Sequence, residues 1–158
     1  MVNVVDRIVD GAVKRWYQRN SDPALLNVIV RNAEEEGYVL DPNSGLLFRD
    51  ITSEELSIDI IFPRPTDFHH HKDVHENIEV LSGEGIFINH GRESEYFGPG
   101  KEISVPLYWN HAFRPSKYEA LEVRVTCSGV WDPAQEVMIE SFDTFGPWAR
   151  YYDGVRKK

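Results

Sequence analysis

The stretch "FHHHKDVHENIEVLSGEG", Phe68 to Gly85, crowds four of the chain's six histidines into seven residues, beside Glu76 and ahead of an apolar run. Extended backbone sends successive side chains to opposite faces, so His69 and His71 share one face and His70 takes the other. Glu76 opens the next run, in which Ile78 and Val80 share its parity and are both apolar. A turn between the histidines and Glu76 lets these side chains face one interior.

Further along, "GKEISVPLYWNHAFRP", Gly100 to Pro115, brings in another imidazole. His111 starts a strand there, and Phe113 shares its face. Three imidazoles and one carboxylate converging on an interior form a nitrogen-and-oxygen donor set suited to Fe(II), Mn(II), Ni(II) or Zn(II).

The spacing of these residues resembles the cupin superfamily, the small RmlC-like β-barrels. The first motif of that family, Gly-x5-His-x-His-x3-4-Glu-x6-Gly, is matched by His69, His71, Glu76 and Gly83. Its second, Gly-x5-Pro-x-Gly-x2-His-x3-Asn, is matched by Gly100, Pro106 and His111. Pro63 stands in place of the leading glycine, Tyr108 in place of the inner glycine, and Pro115 in place of the final asparagine. The resemblance implies a jelly-roll β-barrel with one divalent metal ion held by His69, His71, Glu76 and His111. It also implies a metal-dependent enzyme of dioxygenase, isomerase or lyase type acting on a small organic molecule. The alternative is a non-catalytic cupin that binds or senses a small molecule.

The rest of the chain is consistent with a mainly β fold. From residue 38 to 127, short runs rich in Val, Ile, Phe and Tyr alternate with Gly, Pro, Asn and Asp, the texture of an antiparallel barrel or sandwich. Residues 1–37 read as helical. Val4, Val5, Ile8, Val9, Ala12, Val13 and Trp16 make one apolar face. A second helix follows, with Ser21 or Asp22 as cap, Pro23 in its first turn and Gly37 at its exit. Residues 128–158 read as an extension of helix and loop packed on the barrel. The whole is one domain, 1–158, with N-terminal helices.

Interior positions by parity are Ile78, Val80 and Phe113, with Val123 and Val125. Arg114 and Arg124 alternate with them and are expected to face out. Tyr96, Tyr108 and Trp109 lie near the turn leading to His111, where they either frame the pocket mouth or pack as aromatics. His70, His75 and His90 read as surface or supporting groups, and the Asp67 or Asp73 carboxylate as able to orient a ligand imidazole. This lining suits a small, partly apolar or neutral polar ligand.

Bulk composition excludes several classes. The formal net charge of −9 leaves no basic stripe for a nucleic acid. Apolar runs fall short of the ~20 residues a spanning helix needs, and the N-terminus lacks the unbroken apolar core of a secretory signal. The single cysteine, Cys127, allows no internal disulfide and no thiolate cluster, and it reads as a packed core residue. The expected setting is the cytoplasm, and the expected assembly is a homodimer.

Overall fold

The computed structural model describes residues 23–41, 45–52, 57–63, 65–116, 120–129 and 135–140. The apolar face expected at Val4–Trp16 lies outside the described residues, as does the end of the chain from 141 onward. Among the described residues one helix, α1 (Pro23–Glu35), precedes eleven strands: β1 (Val39–Asp41), β2 (Leu46–Thr52), β3 (Ser57–Phe62), β4 (Phe68–His71), β5 (Glu76–Ser82), β6 (Gly85–Ile88), β7 (Ser94–Phe97), β8 (Glu102–Val105), β9 (Ala112–Pro115), β10 (Leu121–Cys127) and β11 (Glu136–Glu140).

The strands pair antiparallel in three sheets: six strands in the order β1-β2-β3-β10-β5-β8, three in the order β7-β6-β9, and the pair β11-β4. Among the described residues no ladder closes these sheets into a continuous barrel. The six-stranded and three-stranded sheets share one apolar core, a jelly-roll type of arrangement. Alternation builds it. In "LEVRVTC" Leu121, Val123, Val125 and Cys127 are buried, and in "ENIEVLS" Glu76, Ile78 and Val80 are. These meet Phe87, Phe97 and Phe113 from the smaller sheet, and Phe113 stacks on Phe62 with ring centroids 4.7 Å apart. Each such side chain contributes about 1.5–3 kcal/mol by leaving water.

Helix α1 covers the outer face of the larger sheet, where Ala33 packs with Tyr38, Leu47 and Ile61. Gly37 ends it with φ of 90°. The Gly37 and Tyr38 N–H groups donate back to the carbonyls of Glu34 and Ala33 at 3.1 and 3.0 Å, a Schellman ending. On the same face Arg49, Asp59 and Arg124 stand in one cross-strand row. Buried Asp59 accepts from both guanidinium groups, at 2.8 and 2.9 Å.

Two expectations are corrected. Residues 136–140, read as part of a helix-and-loop extension, form a strand that pairs with β4. Arg114, expected to face out, is 0% exposed. Its strand "AFRP" is buried at every position, so period-2 alternation does not assign its faces. Arg114 donates instead to the main-chain carbonyls of Thr66 and Phe113. No helix among the described residues is long and apolar enough to cross a membrane.

Candidate metal centre

Strand β4 buries His69 and His71 on one face and leaves His70 half-exposed on the other, as parity requires. His111 reaches them from the loop before β9. His69 and His111 exchange both main-chain hydrogen bonds, 3.0 and 2.8 Å, in an isolated bridge that sets the two imidazoles side by side. Ring centroids lie 4.3 Å apart for His69 and His111, 5.0 Å for His69 and His71, and 5.4 Å for His71 and His111. One ligand atom from each imidazole falls within 4.8 Å of those from the other two, so the three buried histidines can hold a metal ion. Glu76, first residue of β5, brings its Oε1 to 3.2 Å from His71 Nε2 and 3.5 Å from His111 Nε2.

The imidazoles are aimed by the main chain. His69 Nδ1 donates to the carbonyl of Asp67 at 2.7 Å, and His111 Nδ1 donates to that of Trp109 at 2.9 Å. A carbonyl only accepts, so in a neutral ring each Nδ1 carries the proton and each Nε2 offers a lone pair. The group that orients His69 is thus the main chain of Asp67. His71 Nδ1 is buried without a hydrogen-bond partner among the described residues.

Electrostatics follow from burial. His69 is held well below the ordinary imidazole range, first by burial and then by the other two imidazoles. Burial works against protonation of His71 as well, but the hydrogen bond and charge of Glu76 raise it. Burial alone would lift the Glu76 carboxyl; contacts with His111 and His71 pull it far below the usual carboxylate range instead.

The other sequence-predicted residues separate into groups. Ile78, Val80 and Phe113 belong to the core, and Phe113 meets His111 edge-on at 6.1 Å. Tyr96 is half-buried on β7 and donates its hydroxyl to Glu84 at 2.9 Å. Tyr108 and Trp109 are exposed, and their rings lie against His70 (5.6 Å) and His90 (5.3 Å). Asn110 links those two histidines, with its side-chain oxygen 2.9 Å from His70 Nδ1 and its N–H donating to His90 Nδ1. Two neighbours of the site were not anticipated. Phe87 stacks on His111 at 6.0 Å, and Glu136 brings Oε1 to 3.8 Å from His69 Nε2. Phe87 was findable, since "GIFI" carries it on an inward face. Glu136 lies outside both motifs.

No protein-family model and no curated protein matches the chain. Solved structures do. A Streptomyces Pac13 variant with uridine matches with a TM-score of 0.50 at 15% identity, over 61% of this chain and 78% of that one. CapF, a capsular polysaccharide assembling protein from Staphylococcus aureus, matches with a TM-score of 0.52 at 16% identity, over 65% of this chain and 31% of CapF. A cupin-like protein from Thermotoga maritima gives 0.49 at 14% identity, over 62% and 78%. At these identities the likeness is one of fold. That fold is of the jelly-roll type that the sequence motifs imply. Within it, the motif histidines come together in the interior.

Proposed function

We propose that this protein is a metal-dependent cupin enzyme acting on a small organic molecule, with one divalent ion held by His69, His71, Glu76 and His111. The observation that carries the reading is the aim of His111. Its Nδ1–H is committed to Trp109, so a neutral ring turns the Nε2 lone pair toward Glu76 Oε1, 3.5 Å away. A lone pair facing a buried carboxylate is repulsive unless a proton or a metal cation lies between them. His69, held below the ordinary imidazole range, is a neutral donor in the same cluster at neutral pH. Three neutral nitrogens and one carboxylate suit Fe(II), Mn(II), Ni(II) or Zn(II).

Held by His69, His71, Glu76 and His111, a divalent ion would supply Lewis acidity or a site for dioxygen. The chain's own residues do the rest. Glu76 contributes the negative charge, the main-chain carbonyls fix the imidazoles, and Phe87 and Phe113 keep water from the side of His111. Dioxygenase, isomerase and lyase chemistry all use such a centre. A homodimer in the cytoplasm completes the proposal; the lone buried cysteine is in keeping with a reducing compartment.

The test is elemental analysis of the purified wild type, His71→Ala and His111→Ala, followed by oxygen-uptake, isomerase and lyase assays on a metabolite panel. Stoichiometric metal in the wild type and loss in both variants is the expected result. Undiminished metal in both variants overturns the ligand assignment. Metal without turnover of any compound leaves a binding or sensing cupin.

A further inference from the structure

The β11–β4 ladder carries a residue of the far C-terminal segment to the histidine cluster. Glu136 stands directly opposite His71, Val137 opposite His70, and Met138 opposite His69. Opposed residues of an antiparallel pair share a face. Glu136 therefore lies on the face of β4 that presents the two site histidines. Its Oε1 is 3.8 Å from His69 Nε2, the nitrogen that the Asp67 hydrogen bond leaves with a lone pair.

The two carboxylates approach different members of the cluster. Glu76 reaches His71 and His111, and Glu136 reaches His69. Two donors each about 2.1 Å from one ion stand about 3.0 Å apart when adjacent and about 4.2 Å when opposite. The 3.2 and 3.5 Å separations of Glu76 from His71 and His111 lie near the adjacent value, and the 3.8 Å of Glu136 from His69 lies between the two, so Glu136 reaches a shared ion by a small shift of its partly exposed side chain. Three neutral imidazoles with two carboxylates also balance the charge of a divalent ion, where one carboxylate leaves an excess positive charge in a buried site. The Glu136 side chain is 36% exposed, so it stands on the solvent side of the cluster, where an incoming molecule would arrive.

We propose that Glu136, supplied by strand β11, is a fifth metal ligand beside His69, His71, Glu76 and His111. This inference rests on the metal-binding reading above and adds one residue to its ligand set.

The experiment titrates metal-free, full-length protein with Co(II) alone and records the visible ligand-field spectrum and the affinity of wild type, Glu136→Gln and Glu136→Asp. Melting of the metal-free variants checks the fold. Glu136→Gln is expected to bind Co(II) at least tenfold more weakly, with the more intense bands of a lower coordination number. Glu136→Asp, which keeps the charge but draws the oxygen back, is expected to show the same spectral change with a smaller affinity loss, and serves alone if the Gln variant fails to fold. Unchanged spectra overturn the inference even if affinity falls, because Glu136 then acts only through its charge or through His69. A wild type that binds no Co(II) overturns the metal-binding reading itself, and the inference with it.

Discussion

The main-chain N–H of Tyr108 donates to the carbonyl of His71 at 2.9 Å, so the turn that delivers His111 is pinned to the strand that carries the other two histidines. Tyr108 makes this contact with φ of 62°, at the position where the cupin motif has glycine. A non-glycine residue there costs about 1–2 kcal/mol, against about 0.4–1 kcal/mol of extra unfolded-state entropy for glycine. Tyr108→Gly is therefore expected to be as stable as the wild type or up to about 1.6 kcal/mol more so. Tyr108→Val, β-branched and ill-suited to this backbone, is expected to lose about 1 kcal/mol. Urea unfolding measures both, and a large loss in the glycine variant would contradict the account.

Gly83 closes the first motif with φ of 81°, and a Cβ there would run into the main-chain oxygen of Ala120. The strained backbone and the overlap act together. Gly83→Ala is expected to cost about 3 kcal/mol, read as a lower denaturation midpoint at unchanged slope.

Acidification should weaken the metal-free protein through His69. Its folded pKa lies below the ordinary 6.5, so its contribution is complete above pH 6.5. It is lost as pH falls further, because the unfolded chain takes up a proton that the folded one refuses. His71, raised above 6.5, has the opposite sign: its contribution is complete below that value and fades as pH rises through the raised pKa. Between pH 6.5 and 5, His69→Gln should flatten the fall in stability, and above pH 6.5 His71→Gln should flatten the fall that comes as pH rises. Unfolding curves of chelator-treated protein across both ranges decide, and unchanged slopes in both variants would refute the assignment.

Metal removal should lower the melting temperature in proportion to the logarithm of the metal concentration, with about 4 kcal/mol at a thousandfold excess over Kd. In His71→Ala the chelator should make no difference.

Cys127 opposes Glu76 in the β10–β5 ladder, and its thiol is pushed up to about 12, chiefly by burial and secondarily by Glu76 and Asp73. Its thiolate is scarce at pH 8. An aromatic disulfide reagent should leave the native thiol untouched over minutes and modify it at once in denaturant.

Much of this was legible in the sequence. The period-2 pattern of "LEVRVTC" and "ENIEVLS" gives strands with one buried face, and the parity of His69, His71 and Glu76 gives the side they share. His111 was legible through its register with Pro106 and Gly100. The misses have a common physical cause: strands whose two faces are alike. "AFRP" is buried on both, which hid Arg114, and "EVMIE" is largely exposed on both, which hid β11 and Glu136. Alternation carries information only where one face is wet and the other dry. For Tyr108 and Trp109 the sequence left pocket mouth and aromatic packing open, and their rings lie against His70 and His90.

The cluster draws its donors from separate pieces of the fold: His69 and His71 from the two-stranded pair, Glu76 from the start of β5 in the six-stranded sheet, His111 from the loop before β9 of the three-stranded sheet. A nascent chain whose ladders have zipped but not docked holds two neighbouring imidazoles at most, too few to retain an ion against cellular competitors. An ion that needs all of these donors would thus be taken up last, after every layer has found its place.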